Sequence, residues 1–334
     1  MATMDRLDAA PDADLTSHYA PMYERVQQRI SPLDWQLHLP SIDAIARLKR
    51  ERNAVILAHN YQAPEIFNTV ADITGDSLAL ARLAMDVQAD VIVMCGVHFM
   101  AETAKILNPT KTVLIPDLAA GCSLSESITA RDIELLRQQY PGAPVVTYVN
   151  TSAAVKAASD VCCTSANAVD IVNAQDSDTV IFLPDRYLGA YVAARTDKKL
   201  VLWHGACEVH ERFTGAQIRS LRAPGVRVLA HPECPPDVLS EADFVGSTAA
   251  MSGDIRSSGA TRVLLITECS MADNLAVELP NVEFTRPCNL CPHMRRITLP
   301  KIEQCLRELS PVVEIDAAVM DGARRALMRM LDGR

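Results

Sequence analysis

The feature that most constrains the fold is a strand-helix-strand pattern that occurs three times along the chain. Short apolar runs typical of buried strands alternate with stretches of helical periodicity. The predicted first strands are 55–58, 145–148 and 227–230, the second strands 91–94, 180–183 and 263–266, and the third strands 113–116, 200–203 and 282–285. The spacing between the ends of the first and second strands differs by at most one residue between the units. This period predicts a triplicated α/β unit with parallel strands.

The repeat divides the chain into five segments. We predict a helical extension at 1–40, three α/β domains at 41–128, 129–212 and 213–310, and a C-terminal helix at 311–334. Three similar domains can pack in a pseudo-threefold arrangement, in which the carboxyl ends of their parallel strands face a common centre. The sequence therefore predicts a central active site built from the loops that follow the strands.

The composition argues against nucleic-acid and membrane partners. The formal net charge is −9, and the basic residues are interspersed with acidic ones rather than clustered. No apolar run reaches the roughly 18 residues that a membrane span needs, and residues 1–20 are too polar for a signal peptide. We therefore expect a cytoplasmic protein.

Ten cysteines in a reducing compartment indicate metal binding or catalysis rather than a disulfide framework. Three of them, Cys122, Cys207 and Cys291, follow the third strands of their units and are separated by 85 and 84 residues. Equivalent positions in three packed units would bring these thiols together at one metal site. The thiols expected to be small buried hydrophobes instead are Cys95, Cys269 and Cys305.

The number of equivalent thiols indicates the kind of metal site. Three thiolates suit a 4Fe-4S cluster with one iron that has no protein ligand, whereas closed zinc sites normally supply four ligands. The open iron can act as a Lewis acid toward a substrate. His210 and Cys288 are both alternatives for a fourth ligand, and the sequence leaves both open. Cys288 and Cys291 also form a Cys-x-x-Cys pair, which can close a disulfide that strips the cluster.

Six motifs, in order along residues 55–294, resemble those of the quinolinate synthase family. They are His59-Asn60-Tyr61-Gln62, Gly75-Asp76-Ser77, Tyr148-Val149-Asn150-Thr151-Ser152-Ala153, His231-Pro232-Glu233-Cys234, Gly246-Ser247-Thr248 and Cys291-Pro292-His293-Met294. The resemblance implies three homologous α/β domains around a central cavity, with a 4Fe-4S cluster on Cys122, Cys207 and Cys291. It also implies condensation of iminoaspartate with dihydroxyacetone phosphate to quinolinate, in the route to NAD, with loss of phosphate and two waters. L-aspartate oxidase, which makes the imine, is the implied functional partner.

The same resemblance implies a set of contacts to iminoaspartate. The residues concerned are His59, Ser77, Tyr148, Asn150, Ser165, His231, Glu233 and Thr248. Short hydroxyls and free backbone amides at helix N-termini can bind two carboxylates without a strongly basic pocket. Serines and threonines in such turns are ordinarily helix N-caps, so capping is the competing interpretation of the hydroxyl residues.

Glu233 is the candidate general base, because dehydration and ring closure require proton removal. We expect a raised pKa for a carboxylate beside an anionic substrate. Tyr61 and His59 are candidates for relaying protons or polarising the ketone. The competing interpretations are that the histidine only bonds to backbone, that Tyr148 is a core aromatic residue and that Glu233 is an exposed loop acid.

Three other kinds of protein compete with this interpretation. An aconitase-type iron-sulfur hydro-lyase would also use an open iron, but it would act on a hydroxy acid without a triose phosphate. A non-catalytic iron-sulfur sensor would need a partner surface such as a basic DNA-binding element, and the sequence shows none. A structural zinc protein would be distinguished by metal analysis.

Overall fold

The computed structural model describes residues 13–333, in which the strands form three four-stranded parallel sheets. The strands are β1 (Ala54–His59), β2 (Ile73–Gly75), β3 (Val91–Cys95) and β4 (Thr112–Leu114) in the first sheet, β5 (Val145–Tyr148), β6 (Val161–Cys163), β7 (Thr179–Leu183) and β8 (Lys199–Leu202) in the second, and β9 (Arg227–Ala230), β10 (Phe244–Val245), β11 (Arg262–Ile266) and β12 (Glu283–Thr285) in the third. Each sheet has the order second, first, third, fourth along the chain. The predicted α/β class with parallel sheets is confirmed.

The edge strands β2, β6 and β10 were not predicted from the sequence. They contain only two or three residues, which is too short for hydrophobic periodicity to indicate a strand. Each one pairs with the first strand of its unit. The small polar segments Gly75-Asp76-Ser77, Thr164-Ser165 and Gly246-Ser247-Thr248 come at the ends of these edge strands or directly after them, beside the carboxyl end of the first strand.

Helices connect the strands at the same places in each unit. They are α4 (Pro64–Phe67), α9 (Ala153–Ala158) and α13 (Pro236–Leu239) after the first strands, α5 (Ser77–Asp86), α10 (Ala168–Asn173) and α14 (Thr248–Ser258) after the edge strands, and α6 (His98–Leu107), α11 (Arg186–Ala193) and α15 (Ser270–Glu278) before the last strands. Parallel neighbouring strands need such crossovers, because the chain must return from the carboxyl end of one strand to the amino end of the next.

The remaining helices precede, link or follow the three sheets. They are α1 (Ala13–His18), α2 (Ala20–Val26), α3 (Pro32–Glu51), α7 (Ser123–Glu126), α8 (Ala130–Gln139), α12 (Gly215–Leu221), α16 (Leu299–Glu308) and α17 (Ala317–Asp332). Helix α16 packs against α3, and α17 packs against α9 and β6 of the second unit. Between residues 13 and 333, none of the helices combines the length and apolarity needed to cross a bilayer.

Helix α3 continues through Pro40, where the sequence suggested that the N-terminal extension ends. A proline inside a helix costs about 3 kcal/mol or more. Buried residues lie on both sides of it with helical spacing, among them Trp35, Leu39 and Ile42. Burial of this continuous apolar stripe offsets the cost of the proline. The part of the predicted extension before residue 13 lies outside the described residues.

Apolar side chains cover both faces of the third sheet. Val228 and Leu264 belong to a buried cluster on one face, and Leu229 and Val263 belong to a second cluster on the other. Successive strand residues point to opposite faces, so a strand covered on both sides is apolar throughout. Burial on both faces explains why the strands are unbroken apolar runs in the sequence. Polar residues come where these strands end.

Candidate functional site

A cavity lies among loops that follow strands of all three sheets. All of the residues predicted for the site line it. They are His59, Tyr61, Ser77, Tyr148, Asn150, Ser165, His231, Glu233, Thr248 and the cysteines Cys122, Cys207 and Cys291. Parallel strands place their following loops at one edge of a sheet, so residues far apart in sequence can share one pocket. The roles of these residues stay predictions.

Two of the predicted hydroxyl contacts are first residues of helices. Ser77 begins α5 and Thr248 begins α14. The preceding residues cap these helices, since the Asp76 carboxylate and the Ser247 hydroxyl each accept the backbone N–H three residues on, at 2.8 and 3.2 Å. Thr248 instead accepts a hydrogen bond of 2.8 Å from the Asn60 side chain. Capping therefore does not account for Ser77 and Thr248, which stand where a helix N-terminus favours a bound anion.

The three cysteines have equivalent backbone environments. Backbone N–H groups of Leu124 and Ser125 face the sulfur of Cys122, those of Val209 and His210 face Cys207, and those of His293 and Met294 face Cys291. In every loop the donors are the second and third residues after the cysteine. Burial raises the pKa of each thiol, to about 12 for Cys122 and about 11 for Cys291, so a bound cation is needed to favour the thiolates. Three soft donors, each facing two N–H groups, fit a cluster held by three protein ligands.

Comparison with known proteins gives the family of the chain. Residues 43–332 match the family described as Quinolinate synthetase A protein. Quinolinate synthase 1 of Mesorhizobium japonicum is 63% identical over 314 residues, which cover 93% of this chain and 97% of that protein. The chain belongs to the quinolinate synthase family. The quinolinate synthase of Agrobacterium fabrum is 62% identical over 314 residues, 93% of this chain and 91% of that protein. That of Xylella fastidiosa is 64% identical over 292 residues, 87% and 86% of the two chains.

In this quinolinate synthase family enzyme, Glu233 is buried among polar side chains. Its Oε1 accepts a hydrogen bond of 2.5 Å from the Tyr148 hydroxyl. Its Oε2 lies 2.7 Å from Nδ1 of His210 and 3.8 Å from Nδ1 of His231. Burial by itself would raise the pKa of Glu233, but the two histidines and the tyrosine hydroxyl outweigh it and hold the pKa below its usual value. The protein side chains thus oppose the raised pKa that we expected beside an anionic substrate.

Burial also shifts the pKa values of two histidines and two tyrosines near Glu233 toward their neutral forms. Burial lowers the pKa of His59 to about 4, and it also lowers the pKa of His231. Burial and the charge of Glu233 raise the pKa of the neighbouring Asp185 well above its usual value, so we assign the negative charge of these two acids to Glu233 at neutral pH. Burial, reinforced by Glu233, raises the pKa of the Tyr61 and Tyr148 hydroxyls well above the usual value. This wall of the cavity therefore combines one carboxylate with neutral hydrogen-bonding groups.

A continuous set of polar contacts joins side chains from all three units. The Tyr61 hydroxyl lies 2.6 Å from Oγ1 of Thr267, which lies 2.9 Å from Nε2 of His210. His210 contacts Glu233, and Glu233 accepts from Tyr148. The sequence analysis assigned no role to Thr267, although its position directly after β11 is a signal that could have found it. The network connects the predicted base with the predicted relay tyrosine.

We predict that Thr267→Val lowers the free energy of unfolding by about 1–3 kcal/mol, because it leaves two buried polar groups, on Tyr61 and His210, without their partner. The measurement is urea unfolding of the metal-free protein under anaerobic, reducing conditions. Thr103→Val is the matched control. The buried Thr103 hydroxyl donates to the Phe99 carbonyl within α6, and the change should cost less than about 1 kcal/mol. Equal losses in the two variants would contradict the structural role of the Thr267 contacts.

The structure distinguishes the two alternatives for a fourth cluster ligand. Ligand atoms of Cys207, His210 and Glu233 lie within 4.8 Å of one another. Nε2 of His210 nevertheless lies 2.9 Å from Oγ1 of Thr267, and Nδ1 lies 2.7 Å from Oε2 of Glu233, although without the geometry of a hydrogen bond. This arrangement favours a place for His210 in the polar network over a role as fourth ligand. Cys288 is not among the residues that line the cavity.

Cys288 forms a disulfide with Cys269, with the two Cα atoms 5.1 Å apart. The expectation that Cys269 is a buried free thiol was therefore wrong, and the considered Cys288-Cys291 pair is not formed. A parallel backbone bridge between Glu268 and Asn289 brings the residues beside them, Cys269 and Cys288, together. Cys95 and Cys305 are free and buried, as predicted.

Proposed function

We propose that this enzyme condenses iminoaspartate with dihydroxyacetone phosphate to quinolinate, phosphate and two waters, with a 4Fe-4S cluster on Cys122, Cys207 and Cys291. The observation that carries the proposal is that three equivalent thiols and two helix N-termini line the same cavity. The relatives named quinolinate synthase support the same product. The recurrence of one loop geometry in all three units supports a pseudo-threefold arrangement of domains around the cluster.

The donor set argues for an iron-sulfur cluster rather than a structural zinc ion. Structural zinc sites are closed by four protein ligands, and the best alternatives for a fourth ligand here are a histidine with two protein partners and a cysteine in a disulfide. When bound, the cluster would supply a Lewis-acidic iron with an open position toward the cavity. The substrate would then be held between that position and the hydroxyl and imidazole groups opposite.

The residues proposed to hold iminoaspartate offer hydrogen bonds rather than positive charge. The set is His59, Ser77, Tyr148, Asn150, Ser165, His231, Glu233 and Thr248. Oδ1 of Asn150 is buried and has no hydrogen-bond partner among the described residues. Buried polar atoms are normally paired, so this oxygen suits an N–H or O–H group of a bound molecule. The starts of α5 and α14 suit the carboxylates.

Proton transfer is assigned to Glu233 and the hydroxyls connected to it. The carboxylate is ionised and accepts from Tyr148, so it is oriented before it takes a proton from the substrate. Tyr61 reaches the same carboxylate through Thr267 and His210, and the His59 ring packs edge-on against Tyr61 at 4.7 Å. Tyr61 and His59 are therefore placed to return protons to leaving groups. L-aspartate oxidase would supply the imine, and we propose a cytoplasmic location for both proteins.

Protein purified without oxygen should contain about four irons and four sulfides per chain and should form quinolinate from the two proposed substrates. Exposure to air should remove both the cluster and the activity. Equal turnover by cluster-free protein would contradict the Lewis-acid role. Zinc in place of iron would favour the structural alternative, and dehydration of a hydroxy acid without the triose phosphate would favour a hydro-lyase. An intact cluster with neither activity would favour the sensor.

A further inference from the structure

The middle strands β3, β7 and β11 end at equivalent places beside the cysteine loops. The second residue after each strand is Val97, Asp185 or Glu268. Parallel backbone bridges join Asp185 to Gly205 and Glu268 to Asn289, each two residues before a cysteine. In the first unit, the N–H of His98 donates to Ala120, again two residues before the cysteine. The three cysteine loops thus pair with the sheets in one register. The residue at this position is an acid in the second and third units, Asp185 and Glu268, but not in the first.

Glu268 is fully buried and holds two segments of backbone at once. One carboxylate oxygen accepts the N–H of Ser270 at 2.7 Å, at the start of α15. The other accepts the N–H of the predicted ligand Cys291 at 3.2 Å. Asn289 of the same loop also donates through its side chain to the Val209 carbonyl of the Cys207 loop, at 3.2 Å. The carboxylate therefore connects the third sheet directly to the backbone of a cluster ligand.

Asp185 has the corresponding place beside the Cys207 loop. It is fully buried, and its Oδ1 accepts the N–H groups of Tyr187 and Leu188 at 2.8 Å, which caps α11. The backbone N–H of Cys207 faces the same carboxylate. Oδ2 of Asp185 has no hydrogen-bond partner among the described residues. Oδ1 thus caps the helix, and the Cys207 N–H lies beside the same buried carboxyl group.

The Cys122 loop is held in another way, by the Ser123 hydroxyl, and has Val97 at the position where the other two units have an acid. The hydroxyl of Ser123, next to Cys122, donates to the Ala206 carbonyl and accepts the N–H of Glu208, each at 3.1 Å. These two partners flank Cys207, so the first loop is attached to the second. The three cysteine loops are therefore attached through the buried acids Glu268 and Asp185 and through this hydroxyl.

We infer that Glu268 is a positioning residue for the cluster, which holds the Cys291 loop at its backbone, and that Asp185 does the same for the Cys207 loop. The inference rests on the proposed function, because it requires a cluster on the three cysteines. Three sulfurs must reach their irons together, so a loop that moves independently lowers the occupancy of the whole site. Groups that orient metal ligands typically change metal affinity by roughly tenfold to a hundredfold when they are replaced.

The test uses Glu268→Gln and Asp185→Asn in the full-length protein with its cluster. Glutamine keeps the shape of the side chain, but it replaces one of the two accepting oxygens by an NH2 group, which cannot accept the N–H of Ser270 or of Cys291 that faces it. Asparagine can still cap α11 through Oδ1. The matched control is Asp254→Asn, which weakens a partly buried pair with Arg227 in the third unit, away from the cavity.

The measurements are the rate of iron loss to a chelator under anaerobic conditions, the electron paramagnetic resonance spectrum of the reduced cluster, and the melting temperature of the metal-free protein. We expect iron loss to be roughly tenfold to a hundredfold faster in Glu268→Gln and in Asp185→Asn, with an altered spectrum. Asp254→Asn should lower the melting temperature and leave iron loss and the spectrum unchanged.

The outcomes separate the inference from the proposed function. Iron loss at the parental rate in both variants would overturn the inference, and so would equally faster loss in the control. If Glu268→Gln fails to fold, Asp185→Asn alone decides in the same way. A parental protein that binds no iron-sulfur cluster would overturn the proposed function itself, because the parent contains both carboxylates.

Discussion

Cys291→Ser should lose the cluster and all quinolinate-forming activity, whereas Cys288→Ser should retain both. The two residues are three positions apart, but Cys291 is 84 residues from Cys207, which matches the preceding interval of 85. In the structure the Cys291 thiol lines the cavity and faces two backbone N–H groups, as the other two predicted ligands do. A serine oxygen is a harder and poorer ligand for iron in a thiolate site.

Cys288→Ser is the matched control for that experiment, since it makes the same chemical change one turn away. Cys288 is bonded to Cys269, so the variant should lose a cross-link and keep the three ligands. Its cluster should also be at least as resistant to oxidation. Iron, sulfide and activity of the two variants are measured side by side after anaerobic purification. Retention of the cluster in Cys291→Ser, with loss in Cys288→Ser, would overturn the threefold alignment of the loops.

Glu233→Gln should keep the cluster and still bind a dicarboxylate, but it should lose about a hundredfold to ten-thousandfold in the rate of quinolinate formation. The amide preserves the shape of the side chain and can still accept from Tyr148, but it cannot take a proton from the substrate. Among residues 13–333 the Glu233 carboxylate has no lysine or arginine partner, and its polar contacts are to Tyr148, His210 and His231. Its replacement therefore removes the one negative charge of this network.

The measurements are iron content, binding of malate as a dicarboxylate probe, and the initial rate under anaerobic conditions. Glu241→Gln is the control, because Glu241 is in the same unit and pairs with Arg219 away from the cavity. It should leave all three quantities unchanged. Activity of Glu233→Gln within a few-fold of the parent would assign the base elsewhere, with Tyr61 and His59 as the next candidates.

The sequence by itself determined the repeated architecture and the residues that face the cavity. Strands buried on both faces are apolar throughout, so their positions and period are visible along the chain. Polar residues that interrupt this pattern come where the strands end, and in parallel sheets these ends lie at one edge. The thiols of Cys122, Cys207 and Cys291 could be recognised because they occupy one register of the repeat.

Only the tertiary structure decided which side chains contact one another. The Cys269-Cys288 disulfide and the contact of Glu268 with the Cys291 backbone follow from the pairing of loops around β11 and β12. Thr267 lies between Tyr61 and His210, which are 149 residues apart in the sequence. Such contacts leave no periodic signal, because they depend on how separate units pack rather than on the local preference of any segment. The low pKa of Glu233 has this origin only in part, since its largest lowering cause is His231 of the same loop, whereas His210 and Tyr148 come from another unit.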